Sequence, residues 1–326
     1  MVRWLPWALV AAAGCRFTPG HALIRDGVPG DIGSADAPID APGIDSPPDG
    51  PRDCLASWKT GPLSLSAPVL ISELSGGNYD RDPFVTPDEL TMYWSSQRGG
   101  DLTPHIYRAT RAHWAQPWGN ITAVPELSST STDGKVSITS DGLDAMVASN
   151  RAGHVGAGPN SDIWESTRAT EQDPFGTLNE TELVPAVDSA SDQLDPALSW
   201  DGLTLYWSDS ISGHQQVIVS SRSSRTSAFG STTIAVDNVR GVADPAVSRD
   251  ELVLLFTENT TMNGSDIFYA TRGSTSGAFG TAMALTDIDT GFQEGDAFLS
   301  YDACDVFFDS TQQSSGVYQL FVSHVQ

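Results

Sequence analysis

The decapeptide LSWDGLTLYW, residues Leu198–Trp207, carries an Asp-Gly turn between two runs of β-forming residues. An Asp-Gly pair between two β-forming runs is typical of a β-hairpin. The block recurs along the chain, with turn aspartates at Asp88, Asp141, Asp201, Asp250 and Asp302. Successive turn aspartates are 53, 60, 49 and 52 residues apart. The sequence therefore predicts five repeats of about 50 residues.

Two further landmarks follow each hairpin in a fixed order. The first closes a third apolar run, at Ala109-Thr110-Arg111, Ser166-Thr167-Arg168, Ser220-Ser221-Arg222, Ala270-Thr271-Arg272 and Val322-Ser323-His324. The second is an aromatic-Gly pair that opens a fourth segment, at Trp118-Gly119, Phe175-Gly176, Phe229-Gly230 and Phe279-Gly280. Four strands in each repeat are typical of a β-propeller blade.

The two ends of the repeat region complement each other. The fifth repeat stops at Gln326, just after its third strand, and Trp58–Leu74 resembles a fourth strand with its leading aromatic. Joining the two ends removes the exposed edge that a lone sheet would present. We therefore predict an all-β, five-bladed β-propeller over residues 55–326, in which Val69–Leu74 is the outer strand of the blade that contains Asp302. A six-bladed propeller is the alternative.

Dipeptides and tripeptides of the repeats resemble a known family. They are Asp82-Pro83, Asp195-Pro196 and Asp244-Pro245, with Asp162-Ile163-Trp164 and Asp266-Ile267-Phe268 on third strands. This pattern is similar to the WD-like propeller repeats of the periplasmic TolB type. The chain departs from it at Lys135, which replaces the leading Asp in blade 2, and in its five turn blocks, since that family commonly has six blades. The resemblance implies an envelope scaffold that binds partners, and no single reaction.

The first 15 residues, MVRWLPWALVAAAGC, are typical of a bacterial export signal. Their end, Ala12-Ala13-Gly14-Cys15, resembles a lipobox, which predicts lipidation of Cys15. The family pattern usually has Leu where this chain has Ala12, so cleavage by ordinary signal peptidase is the alternative. We expect an exported protein of the bacterial cell envelope, either lipid-anchored in the outer membrane or periplasmic.

Residues 16–54 are rich in Asp and Pro and poor in apolar residues. Such a segment buries too little apolar surface to offset the entropy of ordering it. We predict a disordered linker between the signal and the propeller.

The formal charge of −24 disfavours binding to nucleic acid or to anionic lipid, because both need a basic face. The longest apolar run, Trp4–Gly14, is shorter than the roughly 20 residues of a membrane helix. We therefore expect membrane contact only through a lipid anchor, and a monomer.

One residue in each repeat is placed to face the central channel, because first strands line it. These residues stand six positions before the turn aspartates and are Asp82, Lys135, Asp195, Asp244 and Asp296. Like charges at one mouth would raise one another's pKa or recruit a cation. The pattern predicts a site for a polar ligand or for a cation such as Ca²⁺. The alternative is that the aspartates accept hydrogen bonds from backbone N–H groups where the strands begin.

No sequence motif of catalysis is present. The chain lacks a Gly-x-Ser-x-Gly elbow and a His-Glu-x-x-His zinc motif, and its six histidines show no ligand spacing. We therefore expect a scaffold that binds an envelope protein or glycan without a cofactor. The alternative is a carbohydrate hydrolase or lyase that uses the channel carboxylates.

If Cys15 carries lipid, Cys54 and Cys304 form an even pair in an oxidising compartment. A bridge would staple the ring where it closes; the alternative is a buried Cys304 beside an exposed Cys54. Asp is a local acceptor in turns, so the five turn aspartates are expected to be structural. Trp200 and Tyr301, which lie in turns, are expected to be exposed.

Overall fold

The computed structural model describes residues 52–77, 79–100, 102–151, 160–176, 178–180, 191–211, 213–237, 240–260, 264–313 and 316–326. The export signal, Cys15 and nearly all of the linker therefore lie outside the described residues. Gly50–Gln326 is one compact unit. Among the described residues, no helix is long and apolar enough to cross a membrane.

The unit contains five four-stranded antiparallel sheets. Blade 1 comprises β2 (Asp80–Val85), β3 (Thr91–Ser96), β4 (His105–Thr110) and β5 (Gly119–Ala123). Blade 2 comprises β6 (Asp133–Ile138), β7 (Asp144–Ser149), β8 (Asp162–Thr167) and β9 (Asn179–Glu180). Blade 3 comprises β10 (Gln193–Leu198), β11 (Thr204–Ile211), β12 (His214–Ser221) and β13 (Thr233–Val236). Blade 4 comprises β14 (Val242–Val247), β15 (Val253–Thr260), β16 (Gly264–Thr271) and β17 (Met283–Ala284). Blade 5 comprises β18 (Glu294–Leu299), β19 (Asp305–Ser310), β20 (Gln319–His324) and β1 (Val69–Leu70).

The first strands of the blades form the inner ring. β2, β6, β10, β14 and β18 contact one another in that order, and β18 contacts β2. The ring therefore closes with five blades. The five-bladed prediction is confirmed, and the six-bladed alternative is wrong.

The N-terminal strand closes the last blade. β1 pairs antiparallel with β20, with Val69 opposite Val322 and Leu70 opposite Phe321. This confirms the predicted pairing, although the strand is shorter than Val69–Leu74 because Ser72–Leu74 forms a 3-10 helix. The interpretation of Trp58 as part of that strand is wrong.

Trp58 instead lies in the short helix α1 (Ser57–Thr60), and its side chain is buried. Its indole Nε1 donates to the carbonyl of Ala303 at 2.8 Å, and its ring meets the edge of Tyr269. The aromatic residue therefore docks the N-terminal segment onto blades 4 and 5.

A disulfide joins Cys54 to Cys304. The backbone N–H of Cys54 donates to the carbonyl of Asp302 at 2.9 Å, and Arg52 forms ion pairs with Glu89, Asp302 and Asp305. Residues 52–54, which the sequence analysis assigns to the linker, thus contact the propeller at the point where it closes.

The repeated landmarks meet in space. Each turn aspartate accepts the backbone N–H two residues later and the hydroxyl two residues earlier, as Asp201 does from Leu203 and Ser199. The same pair of bonds is found at Asp88, Asp141, Asp250 and Asp302. In blades 1 to 4 the recurring arginine donates to a turn carbonyl and stacks on the aromatic of the aromatic-Gly pair. The recurrent residues are therefore the internal framework of each blade, as expected for the turn aspartates.

Candidate functional site

A bulge in the inner strands directs the channel residues. In blade 1 the register of β2 with β3 shifts between Arg81 and Phe84, and each inner strand has the same irregularity. Four of the residues at this bulge have left-handed backbone, with φ of 58° at Asp82, 56° at Asp195, 55° at Asp244 and 47° at Asp296. Asp adopts this conformation more readily than most residues. The bulge re-aims the side chain, as bulges commonly do beside functional sites.

The four aspartates line a cavity of about 310 Å³ in the channel. Arg81 is the cationic residue of this lining, and the remaining lining includes the uncharged polar residues Tyr79, Thr132, Ser161, Gln215, Thr257, Asn259 and Ser265. The volume lies at the lower end of the usual range for small-molecule sites. The structure thus brings together four of the five residues that the repeat pattern selects.

The carboxyl groups bond to other side chains. Asp82 and Asp296 share a hydrogen bond, and so do Asp195 and Asp244. Ser208 Oγ hydrogen bonds to Asp195 and accepts the backbone N–H of Asp244 at 3.0 Å. The alternative in which these aspartates cap backbone N–H groups is therefore not what the structure shows.

Burial and mutual repulsion divide the protons among these groups. Burial raises the pKa of Asp82, Asp195 and Asp244, and the Asp296 carboxylate raises each further. Burial also acts to raise the pKa of Asp296, but the Arg81 guanidinium and a hydrogen bond from Asp309 outweigh it and hold that pKa well below its usual range. Asp296 is therefore the ionised member, and its neighbours retain protons more readily than ordinary aspartates.

Two charged residues of the site are absent from the sequence analysis. Arg81 pairs with Asp296 at 2.6 Å and with Asp309 at 2.8 Å, and its guanidinium lies over the ring of Tyr318 at 4.4 Å. Burial raises the pKa of the Asp309 carboxyl well above its ordinary value. Arg81 stands seven residues before its turn aspartate, and the other four repeats have an uncharged residue there. Asp309 stands seven residues after its turn aspartate, and the other four repeats again have an uncharged residue there. That contrast with the other blades is the signal that would have found them.

Lys135 occupies a different place from its counterparts. Its side chain is buried, and Nζ donates to the carbonyl of Pro245 at 3.1 Å. It does not line the carboxylate cavity but a smaller space with Pro245 and Trp200. The expectation that its ammonium faces the same mouth is therefore wrong, although its charge still lowers the pKa of Asp82 and Asp195.

The turn-bearing end of the channel is filled by aromatic side chains. Trp200 is 7% exposed and packs on Phe84 at 5.7 Å, on Phe298 at 6.0 Å and on Tyr301 at 5.1 Å between ring centroids. The expectation that Trp200 and Tyr301 are exposed is wrong: Trp200 is buried, and Tyr301 is partly buried against the core. Phe84 and Phe298 come from the inner strands of blades 1 and 5, so the indole packs across the channel. The cavity is open on the other side, where its lining residue Thr132 is exposed to solvent.

The geometry permits two kinds of chemistry at the cavity. One carboxylate oxygen from each of Asp82, Asp195 and Asp296 lies within 4.8 Å of the other two, which suits a hard cation. Each hydrogen-bonded pair of aspartates also contains one carboxyl, Asp82 or Asp244, whose pKa lies well above its ordinary value. Retaining glycosidases use two carboxyl groups about 5–5.5 Å apart, and inverting enzymes about 6.5–9.5 Å apart.

Comparison with known proteins gives a fold likeness. No protein-family model matches the chain, and no curated protein is similar to it in sequence. An α-L-arabinofuranosidase from Podospora anserina, solved in complex with cellotriose, has a TM-score of 0.54 at 12% identity, covering 81% of this chain and 96% of that one. The catalytic domain of a GH62 α-L-arabinofuranosidase from Coprinopsis cinerea has a TM-score of 0.53 at 14% identity, with coverage of 81% and 96%.

TolB from Acinetobacter baumannii is also similar, with a TM-score of 0.46 at 13% identity. The alignment covers 76% of this chain and 54% of the TolB chain, so this chain spans about half the length of that protein. At 12–14% identity, the likeness to the two arabinofuranosidases shows the fold alone.

Proposed function

We propose that the protein is a binding propeller of the bacterial cell envelope, whose open channel mouth receives a donor-rich group of a glycan or protein partner. The observation that carries the proposal is the cavity of about 310 Å³, lined by four aspartates and filled at its far end by aromatic side chains. A group that enters meets carboxyl oxygens and uncharged polar side chains. Sugar hydroxyls, or an amino or guanidinium group, supply the hydrogen bonds that such a wall accepts.

The wall is built for binding because its charges are already fixed. Arg81 holds Asp296 and Asp309, Asp82 is hydrogen-bonded to Asp296, and Asp195 is hydrogen-bonded to Asp244. Side chains held by their own hydrogen bonds lose little freedom when a ligand arrives, which favours affinity. The carboxyl groups contact each other and do not stand on opposite sides of a cleft.

The proposed location is the envelope, through export and, by lipidation of Cys15, the outer membrane. The Cys54–Cys304 disulfide supports export, because such bonds persist in oxidising compartments. The signal-like residues 1–15 support it independently. We also propose a monomer whose membrane contact is confined to the anchor.

The proposal is tested by capture from envelope extract beside binding to a glycan panel, with wild-type protein and Asp195→Asn. Asn keeps the shape and the left-handed backbone but removes a charge from the cavity wall. The matched control is Glu171→Gln, an exposed carboxylate beside the turn of blade 2 at Gly142. We expect one partner that Glu171→Gln binds as tightly as the wild type does. Asp195→Asn should bind the same partner at least tenfold more weakly. Equal retention by both variants would contradict binding at the channel.

A second candidate, hydrolysis of a carbohydrate, rests on the acid–carboxylate pairs. Asp244 beside Asp195 and Asp82 beside Asp296 each place a carboxyl whose pKa is raised well above its ordinary value next to a second carboxyl, and glycosidases use such carboxyl pairs for general acid–base catalysis. The glycan panel decides between the candidates: product that disappears in Asp195→Asn with an unchanged melting temperature would replace the binding proposal. A Ca²⁺ ion on Asp82, Asp195 and Asp296 is a further proposal for the same cavity, tested by calorimetry on Asp195→Asn.

A further inference from the structure

A second group of carboxylates lies outside the channel, where blades 4 and 5 meet. It comprises Asp266 on β16, Asp289 in the loop before β18 and Glu294, the first residue of β18; we name it the junction cluster. One carboxylate oxygen of each residue lies within 4.8 Å of one oxygen of each of the others. The three groups belong to separate segments and converge only in the folded propeller.

Two buried oxygens of this cluster have no hydrogen-bond partner among the described residues. Glu294 is 1% exposed; its Oε1 accepts the hydroxyls of Thr290 and of Ser310, the latter at 2.9 Å, while Oε2 accepts none. Oδ1 of Asp266 is likewise buried without a partner. An unsatisfied buried carboxylate oxygen is costly, because it has lost its hydration and gained nothing in return.

The internal repeat provides a comparison at the junction of blades 1 and 2. There the positions equivalent to Asp266 and Glu294 hold His105 and Asp133, with His105 Nδ1 3.3 Å from the carboxylate of Asp133. Arg151 adds a second cationic donor, with Nη2 2.7 Å from Asp133 Oδ1. Arg151 and Gln312 are equivalent, since each lies two residues after the repeat serine whose hydroxyl it contacts.

The blade 4–5 junction thus holds carboxylates and an amide where the blade 1–2 junction holds a histidine and an arginine. The missing positive charge must be supplied either by protons or by a bound cation. Three hard oxygen ligands from three segments, one of them exposed enough to leave room for water, fit the second source.

We propose that the junction cluster binds a Ca²⁺ ion, with Asp266, Asp289 and Glu294 as its protein carboxylate ligands. The ion ties the loop before β18 to blade 4, next to the blade in which the two chain ends meet. This site is independent of the channel mouth, so it stands or falls separately from the proposed binding function.

The test uses the full chain, stripped of metal with EDTA, in two measurements. Calorimetric titration with CaCl₂, repeated with MgCl₂, should show uptake of Ca²⁺ that Glu294→Gln and Asp266→Asn each weaken at least tenfold. Glu171→Gln is the matched control, because it removes an exposed carboxylate of blade 2 and leaves both the channel and the junction cluster intact. It should retain this uptake.

Thermal unfolding provides a second test, because a metal site makes the order of the wild-type and variant melting temperatures depend on Ca²⁺. Gln at position 294 keeps the Oε1 acceptor and removes the charge, so Glu294→Gln should melt at or above the wild-type temperature in EDTA and below it in millimolar Ca²⁺. Ca²⁺ uptake that is lost in Asp195→Asn and kept in Glu294→Gln would overturn the proposal. So would the absence of uptake in the wild type, with protonation then neutralising Glu294.

Discussion

Arg81 of blade 1 and Asp296 of blade 5 form an ion pair with an Nη2–Oδ2 distance of 2.6 Å across the junction where the ring closes. The pair joins the first and last blades in the channel, and the Cys54–Cys304 bridge ties the N-terminal segment to blade 5. Arg81 also contacts Asp309, which is hydrogen-bonded to Asp296, so one guanidinium holds both buried carboxyl groups in place.

Replacing Arg81 with Gln should destabilise the protein by about 3–5 kcal/mol, because it leaves a buried carboxylate without its cation. Urea unfolding at pH 7 measures the loss. Arg108→Gln is the matched control, since Arg108 is exposed and its Nε donates to the Thr122 hydroxyl at 3.3 Å. Its change should be within about 0.5 kcal/mol. An Arg81→Gln protein as stable as that control would contradict the account of the ion pair.

Stability should fall as the pH rises above about 4, the ordinary Asp pKa. Burial raises the pKa of Asp82 and Asp244 in the folded state, so that state holds protons which the unfolded chain has released. The free energy of unfolding therefore decreases until the pH passes the folded-state pKa values. Asp296 has the opposite sign: its lowered pKa stabilises the fold above about pH 4, and this contribution is lost as the pH falls below that value.

Urea midpoints at pH 5 and pH 8 test this dependence. Asp244→Asn removes one of the groups with a raised pKa, and Asn is at ease in left-handed backbone. The variant should be at least as stable as the wild type at pH 8 and should show a smaller difference between the two pH values. A pH difference as large in the variant as in the wild type would contradict the raised pKa of Asp244.

Loss of the disulfide should cost about 5 kcal/mol in the chain-entropy model, since the bridge spans a sequence separation of 250 residues. The double variant Cys54→Ser/Cys304→Ser, compared with Cys15→Ser, measures the loss in urea. Thiol counting on the unfolded, unreduced chain should find Cys15 as the one reactive thiol at most. Two or more thiols would exclude the bridge.

Trp200→Ala should destabilise the propeller by about 3–5 kcal/mol, because it leaves a void among Phe84, Phe298 and Tyr301. Leu102→Ala provides the control, since Leu102 is 87% exposed. Thermal and urea unfolding of both variants should separate them clearly. Equal stability of the two variants would show that the indole does not support the channel end.

The repeat revealed the blades and four channel aspartates because each residue recurs at a fixed distance from a turn aspartate. Strand alternation and the turn chemistry act locally, so sequence spacing reports them well. Arg81 and Asp309 were not predicted because each occurs in one blade only, and a comparison of repeats detects residues that recur. Their pairing depends on the approach of blade 1 to blade 5, which is a non-local contact.

The errors in the sequence analysis have the same physical origin. Its position in a turn predicts that Trp200 is exposed, yet that turn of blade 3 packs against inner strands of blades 1 and 5. Lys135 shares the repeat position of the aspartates but does not share their left-handed backbone, and its amine turns to Pro245. Side-chain direction at a bulge depends on backbone that the spacing alone does not specify.

Binding at the open channel mouth is tested most directly by site-specific photocrosslinking in envelope extract. One crosslinking residue replaces Thr132, which is exposed at the cavity. The other replaces Thr226, which is exposed in a loop at the turn end of the blades. The neighbouring Arg225 pairs there with the blade 2 turn residue Asp141. The account predicts a discrete crosslinked partner from position 132, lost in an Asp195→Asn background, and none from position 226. Crosslinking of the same partner from position 226 alone would contradict the account.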